Sequence, residues 1–446
     1  MPDIALPWDD NPLTISLPED WQVLRLAPSS LRPAPEDWPD RLAASLAKPA
    51  AGPSLAQLLG ALQGGRIALI VEDDTRHSPL PEILPLILRE IRHAGVSDDQ
   101  IEIVFASGMH PPMSHDRAAA KVGPDAAALR WRCNPWPSPG AYANLGRAGA
   151  LDVLVDRGVL EADLRILVTA VTPHLQAGFG GGYKMLFPGC AGLETIRGLH
   201  RLGLSRRATQ LIGSDAARNP MRRAIDAAGA ALDAAHGKTF SVQFLLDAAD
   251  RPAYLAAGEV VAAQTMLAKQ AAIACGIVTD QVADVVIANA YPRDLDLWQC
   301  LKSVANTLWA ARPGGVVICL ARCPAGLHGM TPPRHWPLDP AWTRRLVRLL
   351  HPEPLAALIP RLLPKVAADA AFFIRLALQS LYRNHILMVS PALCQAGATF
   401  PGLPIFPTFD AALAAASDLL AEGPQRVAVF PTGGITYPVP MPLVQG

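Results

Sequence analysis

The chain has 446 residues, of which 50% are hydrophobic and 17% are charged. Its 39 lysines and arginines equal its 39 aspartates and glutamates in number, which argues against a nucleic-acid or membrane-surface role because both need a basic excess. The length predicts two or three domains. The seven cysteines are scattered and form no Cys-x-x-Cys pair, so neither a disulfide framework nor a zinc knuckle is indicated. The first residues lack a signal-peptide pattern, and we expect a cytoplasmic protein.

The N-terminal half alternates between strands, polar loops and helices. Residues 66–71 form a continuous apolar run that is typical of a buried parallel strand, and residues 101–106 and 164–171 follow the same pattern. An apolar stripe at helical spacing lies between the first two runs and stops at Gly95. An edge strand is possible at residues 13–17. This repetition predicts α/β organisation with a largely parallel sheet.

The C-terminal half begins a second α/β pattern. Residues 205–275 are rich in alanine and predict helices with a possible strand at 240–246, and residues 283–290 and 314–321 predict strands. Residues 371–390 are apolar but contain Arg375, Arg383 and His385, so we interpret them as a core helix and not as a membrane span. We therefore predict two α/β domains with largely parallel sheets, at residues 1–275 and 276–446, and an active site in the cleft between them.

Ionisable side chains follow the predicted N-terminal strands. Asp73 and Arg76 come after the first strand, His110 after the second and His174 after the third. Ligands bind beyond the carboxyl ends of parallel strands. The sequence therefore predicts that three loops converge on one binding site.

Residues 171–200 carry two histidines and a lysine around a glycine run. His174, Lys184 and His200 can supply proton transfer, a covalent amine link and metal ligation. The run is not a phosphate-binding P-loop, because Tyr183 separates Gly182 from Lys184, and no G-x-G-x-x-G opens a helix here. Taken alone, the run is also compatible with a flexible turn.

Structural interpretations stay open for the other candidates. Asp73 and Thr75 could cap a helix, His110 could be a turn residue, and His200 could suit the negative end of a helix dipole. Gln299 and Lys302 lie one turn apart on a predicted helix, which is usually a solvated face.

Together these motifs resemble the nickel-pincer lactate racemase family of α-hydroxyacid racemases and epimerases. The family patterns match in order over roughly residues 10–440, and the central block is specific. The matching segments are Asp73-Asp-Thr-Arg76, Gly108-Met-His110, Pro173-His174, Ala177 to Lys184, Pro188-Gly189, Glu194-Thr-Ile196 with His200, Tyr291-Pro-Arg-Asp294, Gln299 with Lys302, and Gly314-Gly-Val-Val-Ile318.

The resemblance implies a nickel-pincer nucleotide, a pyridinium mononucleotide whose sulfur-bearing arms and ring carbon hold nickel. It assigns the covalent thioamide link to Lys184, the fourth nickel ligand to His200, and the acid/base pair to His110 and His174. It assigns the binding of the substrate carboxylate to Arg76 and Lys302, with assistance from Gln299. Further cofactor contacts fall to Asp73, Thr75, Gly180, Gly181 and Gly182.

The implied reaction inverts the α-carbon of a lactate-like 2-hydroxy acid. Hydride moves to the pincer ring while a histidine takes the hydroxyl proton, and it returns to the other face of a 2-keto acid. The implied partners are the α-hydroxy acid and the proteins that build the cofactor, with no nucleic acid and no membrane.

Three departures from the family pattern favour a different or larger hydroxy acid: Pro111, Tyr183 and residues 131–150. Two other classes remain as alternatives. A nicotinamide-type oxidoreductase predicts a glycine fingerprint after a strand, and none is present. A non-catalytic binding homologue predicts the loss of one member of the set His110, His174, Lys184 and His200, and none is lost.

Overall fold

A computed structural model describes residues 3–26, 28–62, 64–149, 151–203, 211–279, 281–327, 339–362 and 371–440. Within these ranges, no helix is long and apolar enough to span a bilayer.

The helices and strands are numbered in chain order. The strands are β1 (Asp3–Leu6), β2 (Leu13–Ser16), β3 (Gln22–Leu26), β4 (Ile67–Val71), β5 (Ile101–Phe105), β6 (Arg130–Cys133), β7 (Tyr142–Ala148), β8 (Leu151–Asp156), β9 (Leu164–Ala170), β10 (Pro173–His174), β11 (Gly178–Phe179), β12 (Lys238–Leu246), β13 (Pro252–Gly258), β14 (Gly276–Thr279), β15 (Ala283–Asn289), β16 (Ala311–Leu320), β17 (His385–Val389), β18 (Ile405–Phe406), β19 (Arg426–Phe430) and β20 (Tyr437–Pro440). The helices are α1 (Trp38–Ala47), α2 (Leu55–Gly60), α3 (Leu80–His93), α4 (His115–Val122), α5 (Pro124–Ala127), α6 (Arg157–Leu160), α7 (Leu193–Leu202), α8 (Pro220–Ala235), α9 (Val260–Cys275), α10 (Leu297–Thr307), α11 (Pro340–Leu350), α12 (Pro352–Leu362), α13 (Ala371–Arg383), α14 (Pro391–Gln395) and α15 (Phe409–Ser417).

The chain divides into two compact units. The N-terminal unit is Leu31–Ala274, and the C-terminal unit combines residues 1–30 with Cys275–Gly446. The sequence predicts that residues 1–30 belong to the N-terminal domain, and the structure differs at this point. They belong to the C-terminal unit because β3 pairs in parallel with β19.

The N-terminal unit is built on a six-stranded sheet in the order β13-β12-β9-β4-β5-β6. All neighbours run parallel except β13, which is antiparallel to β12. Both faces are covered, because Leu69 of β4 belongs to the same core cluster as Ile87 of α3, whereas Ile70 belongs to a second cluster with Leu199 of α7 and Ile225 of α8. Burial on both faces explains why the strands are continuous apolar runs.

The C-terminal unit contains a second six-stranded sheet in the order β18-β17-β16-β15-β19-β3, in which every pair is parallel. One face of this sheet packs on α10, α11 and α13, and the other packs on α15 and the β1–β2 hairpin. The prediction of two α/β sheets, each largely parallel, is confirmed.

One sequence-based assignment is wrong. Residues 371–390 are not a single core helix, because α13 ends at Arg383 and β17 begins at His385. Asn384 ends the helix, and its side-chain amide donates to the backbone oxygens of Arg312 and Gly315. The strand that follows is the neighbour of β16 in the sheet.

Candidate active site

Three polar loops leave the carboxyl ends of β9, β4 and β5, which are neighbours in the sheet in that order. The β4 loop carries Asp73 and Arg76, the β5 loop carries His110, and the β9 loop carries His174. The loop with Arg76 therefore lies between the two loops that carry histidines. Adjacent parallel strands explain why residues about 100 positions apart in sequence share one edge.

Asp73 and His110 form the closest ionisable pair at this edge. The Nδ1 atom of His110 lies 2.5 Å from Oδ2 of Asp73. The other carboxylate oxygen of Asp73 accepts from the backbone N–H and the hydroxyl of Thr75, at 3.1 and 2.6 Å. Burial alone would raise the pKa of Asp73, but the hydrogen bond to His110 and the charges of His110 and Arg76 hold that pKa well below its usual range.

This arrangement decides between two interpretations of Asp73. The carboxylate is not a helix cap, because the next helix, α3, begins only at Leu80. Asp73 is instead buried beside the imidazole of His110, whose side chain is 48% exposed. A carboxylate can only accept, so Nδ1 of His110 carries the hydrogen and Nε2 is the basic nitrogen of the neutral ring.

Two residues that the sequence did not single out hold the Arg76 loop in place. Buried Glu72 accepts hydrogen bonds from the hydroxyls of Ser78 and Thr169 and from the backbone N–H of Ala170. Lys121 of α4 donates to the backbone oxygens of Arg76 and Ser78, at 2.7 and 3.0 Å. Glu72 follows a strand directly, which is a usable sequence signal, whereas nothing in the sequence around Lys121 indicates an inward-facing amine.

His174 is fixed differently from His110. It lies in β10, which pairs with β11, and its Nδ1 accepts from the backbone N–H groups of Gln176 and Ala177 at 3.2 and 3.1 Å. Nδ1 is therefore unprotonated, and the neutral ring carries its hydrogen on Nε2. The two histidines thus have opposite tautomers, one fixed by a carboxylate and the other by backbone amides.

The glycine run makes a tight turn between β11 and Lys184. Gly181 has a φ of +71°, and a Cβ there would lie 2.7 Å from the Val171 side chain, so only glycine fits. The N–H groups of Gly180 and Gly182 donate to the Thr172 carbonyl and the Gln243 side chain, at 2.7 and 2.9 Å. Both N–H groups already donate to acceptors within the protein. The turn therefore orients Lys184 and does not present these two donors to a phosphate.

Lys184 lies in a short 3₁₀ turn, Gly182–Met185, with Arg76 and Arg222 in its surroundings. Burial and these two positive charges lower the pKa of Lys184 to about 7, against the opposing charges of Glu72 and Asp73. A large fraction of the amine is therefore neutral and nucleophilic near neutral pH. Lys184 therefore lies within electrostatic range of Arg76, Glu72 and Asp73.

Tyr183, one of the departures from the family pattern, has a structural explanation. Its ring is buried against α8, where a Cβ on Gly229 would meet it at 2.1 Å. Its hydroxyl donates to Asp233 at 2.6 Å, and Asp233 also pairs with buried Arg165 at 3.1 Å. Tyr183 thus anchors the turn that carries Lys184.

His200 occupies the last turn of α7. One turn further along, a Cβ on Gly203 would lie 2.9 Å from the side chain of Gln176, which belongs to the His174 loop. The end of α7 therefore lies beside this loop. A cation here suits the helix dipole, so the structural interpretation and the metal-ligand interpretation both remain compatible with this position. In the described ranges, no three His, Cys, Asp or Glu side chains form a group that could hold a metal.

Gln299 and Lys302 lie in the C-terminal unit, near the start of α10. The helix follows the carboxyl end of β15 after a seven-residue loop at 290–296, and Asp296 caps it by accepting from the Gln299 backbone at 2.8 Å. The Lys302 ammonium donates to Oε1 of Gln299 at 2.6 Å, and both side chains are half-buried. The pair therefore presents one cation and one amide at the strand-end edge of the second sheet.

The comparisons with known proteins agree with these motifs. Residues 8–211 match the model of the lactate racemase N-terminal domain, a range that includes every candidate except Gln299 and Lys302. The resemblance to the lactate racemase family is thereby confirmed.

Lactate racemase from Thermoanaerobacterium thermosaccharolyticum is 27% identical over 275 residues, and that from Lactiplantibacillus plantarum is 28% identical over 278 residues. Each match covers 59% of this chain and 61% of the relative.

Solved structures extend the likeness in fold to almost the whole chain. The lactate racemase apoprotein from T. thermosaccharolyticum has a TM-score of 0.79 at 21% identity, covering 98% of this chain and 100% of the other. A Thermotoga maritima protein has a TM-score of 0.62 at 16% identity, covering 90% and 98%. The order of elements in both units is therefore that of a known fold.

Proposed function

We propose that this protein is an isomerase that inverts the α-carbon of a lactate-like 2-hydroxy acid. The observation that carries the proposal is the order of the loops, because the loop with Arg76 lies between the loops with His110 and His174. A carboxylate held in the middle, with an acid/base group on either side, is what two mirror-related substrates require. The sequence similarity to lactate racemases supports the same reaction.

The substrate carboxylate is assigned to Arg76. A guanidinium group matches the two oxygens of a carboxylate with two parallel hydrogen bonds. Lys121 and Glu72 hold the backbone of this loop, so Arg76 meets the substrate from a fixed position. We assign Lys302 and Gln299 of the C-terminal unit to the same carboxylate, as the family resemblance implies.

The hydroxyl proton is assigned to the two histidines in turn. Neutral His110 accepts it at Nε2, and the Asp73 carboxylate at Nδ1 stabilises the positive charge that the ring gains. We assign the proton transfer on the opposite face to His174, whose imidazolium form donates and whose neutral form accepts; the two backbone N–H groups at Nδ1 hold the ring in its neutral form. In the reverse direction the two histidines exchange roles.

The residues present fit a covalently attached nucleotide with a metal. Lys184 has the lowered pKa that amide or thioamide formation needs, and His200 offers an imidazole ligand at the end of α7. When bound through these residues, a nickel-pincer pyridinium nucleotide supplies the acceptor for the hydrogen and the electron pair that leave the α-carbon. Asp73 and Thr75 would support Arg76 and the cofactor from the β4 loop.

The test is an optical assay on protein co-expressed with the enzymes that build the cofactor. We expect L-lactate or a larger L-2-hydroxy acid to lose optical rotation and to reach the same end point as its D-enantiomer. Arg76→Lys is the matched variant, because it keeps the charge but loses the two-pronged geometry, and we expect a higher KM. If protein that carries nickel and the adduct interconverts no hydroxy acid, the proposal is wrong.

A further inference from the structure

Three cysteines of the C-terminal unit, Cys300, Cys319 and Cys323, lie in the core beneath α10, and Cys300 belongs to this helix. The Sγ atoms of Cys300 and Cys323 lie 3.4 Å apart, and Cys319 is on the adjacent strand β16. The side chains of all three are fully buried and belong to the same core cluster. Cys319 has a different partner, the hydroxyl of Ser303 at 3.2 Å. Cys300 and Cys323 are therefore the pair with sulfur atoms in contact.

Cys323 is held in an unfavourable backbone conformation by the loop around it. Its φ is +52°, a region that L-residues other than asparagine and aspartate rarely adopt. Its backbone N–H donates to the oxygen of Asp294 at 3.0 Å, and the carboxylate of Asp294 accepts from Arg322 at 2.5 and 2.9 Å. These bonds fix Cys323 against the 290–296 loop that leads into α10, and its Sγ against Cys300.

The two thiols are chemically different. A hydrogen bond from Cys300 lowers the pKa of Cys323 in spite of its burial, whereas the same bond and burial raise the pKa of Cys300. Burial raises the pKa of Cys319 to about 12. Since the thiolate is the nucleophile, Cys323 is the sulfur that reacts first and Cys300 is the sulfur that resolves the product.

We propose that Cys300 and Cys323 are a modification site at which a hydroperoxide forms a reversible disulfide between α10 and the 321–327 loop. The Cys323 thiolate attacks an oxygen of the hydroperoxide, which gives a sulfenic acid and releases, after protonation, an alcohol or, from hydrogen peroxide, water. The Cys300 sulfur then displaces the sulfenic oxygen, which leaves as water. The two sulfurs lose two electrons in total, and the peroxide gains both.

The bond would move the helix that carries Gln299 and Lys302. A disulfide is about 2.05 Å long, so the two sulfurs must approach by more than 1 Å from their separation of 3.4 Å. Cys300 directly follows Gln299 and lies two residues before Lys302. This part of the inference rests on the proposed function, because it assumes that these two residues bind the substrate.

The chain allows an unambiguous mass-spectrometric test. Trypsin places the three cysteines on separate peptides, 294–302, 303–322 and 323–334. The reduced full-length protein is treated with hydrogen peroxide, and unreacted thiols are then alkylated. Because both thiols are buried, we expect a slower reaction than at an exposed thiol. We expect a linked pair of peptides 294–302 and 323–334 that is 2 Da lighter than the sum of its parts, and that dithiothreitol separates.

Two serine variants provide the control. Cys323→Ser should form no linked peptide, whereas Cys394→Ser, a half-buried cysteine elsewhere in the same unit, should form it as the wild type does. Hydrogen exchange measured on peptide 294–302 should change on oxidation in the wild type and in Cys394→Ser, and stay constant in Cys323→Ser. If the racemase assay is positive, the KM of the oxidised wild type should rise, by as much as about 10²-fold for a displacement of this size.

The outcomes separate the two proposals. If peroxide produces no linked peptide, or links Cys319 in place of Cys300, the modification site is wrong. If the link forms and hydrogen exchange in peptide 294–302 is unchanged, the displacement of α10 is wrong. A protein that shows the link and the change in exchange but no racemase activity in either state contradicts the proposed function and leaves the disulfide established.

Discussion

The two sheets of this protein use the same edge in different ways. At the carboxyl edge of the N-terminal sheet, ionisable groups lie close together and two of them have strongly shifted pKa values, Asp73 and Lys184. At the same edge of the C-terminal sheet, the charges that are close together neutralise each other, as in the pair of Arg322 with Asp294. Shifted pKa values concentrate at functional sites, so we expect the acid/base chemistry at the first sheet. The shifted groups beside the second sheet, Cys300 and Cys323, are buried thiols.

The comparison also explains what each unit can contribute to a substrate. The N-terminal unit offers proton donors and acceptors, a guanidinium group and a neutral amine within one set of loops. The C-terminal unit offers Gln299 and Lys302 on a helix start that Asp296 caps. We therefore expect substitutions of the histidines and Lys184 in the first unit to affect turnover, and those of Arg76, Gln299 and Lys302 to affect substrate binding.

The largest effect is expected for Lys184→Ala. This change removes the only amine that the proposal links to the cofactor, so activity should fall to the background level and the adduct should be absent from the intact-protein mass. Lys121→Met is the control, because it removes a neighbouring inward-facing amine and should leave the adduct in place. An adduct that persists in Lys184→Ala would assign the covalent link to another residue.

The histidine variants should lower turnover without removing the cofactor. His110→Gln and His174→Gln each lose an acid/base group, which costs on the order of 10²–10⁴-fold in kcat, whereas nickel content should stay at the wild-type level. His115→Gln is the matched control, since His115 is an exposed residue at the start of α4. Full activity in either His110→Gln or His174→Gln would overturn the acid/base assignment.

The pKa of Lys184 predicts how the stability of the cofactor-free protein depends on pH. The pKa is about 7 in the folded chain and about 10.4 in an unfolded one, so between these values the unfolded chain binds more protons. The free energy of unfolding should therefore rise with pH from about 7 to about 10, by a few kcal/mol in total. Chemical denaturation of wild type and Lys184→Met across this range measures the difference, and equal slopes would contradict the lowered pKa.

Lys302→Met should weaken substrate binding more than it slows turnover. Loss of a charged hydrogen bond to a carboxylate costs about 1.5–3 kcal/mol, which corresponds to a rise in KM of roughly 10- to 100-fold. The comparison variant is Asp294→Asn, which disturbs the pair with Arg322 and should lower the melting temperature of the protein. A lower kcat with an unchanged KM in Lys302→Met would place Lys302 with the chemical residues of the first unit.

The smallest effect is expected for Tyr183→Phe. The substitution removes one hydrogen bond to the Asp233 carboxylate, for which a cost of about 1.5 kcal/mol is at the low end for a charged partner, and it preserves the ring that packs on Gly229. Denaturant titration should detect the loss of stability, while the adduct on Lys184 should still form. If attachment fails in this variant, Tyr183 has a direct role with the cofactor.

The sequence predicted the parts of the site that depend on local patterns. Buried parallel strands are continuous apolar runs, so the positions of β4, β5 and β9 and the polar residues that follow them could be assigned. Glycines with left-handed backbone conformations have no substitute, which made the turn before Lys184 visible.

Other features depend on contacts between distant residues. The pairing of β3 with β19 joins segments about 400 positions apart, and no local pattern predicts such a partner. Packing likewise decides that Lys121 points inward. It also decides that the N–H groups of Gly180 and Gly182 donate to acceptors within the protein. Strand β17 was mistaken for the end of a helix because short apolar runs suit both structures.

The unequal support of the two histidines has a kinetic consequence. A reaction that interconverts mirror images has an equilibrium constant of one, so kcat/KM must be the same for both enantiomers. His110 is backed by a carboxylate and His174 by backbone amides, so in the proposed reaction we expect the two half-reactions to pass over unequal barriers. The individual kcat and KM values of the D- and L-substrates are therefore free to differ, in proportion, while their ratio stays fixed.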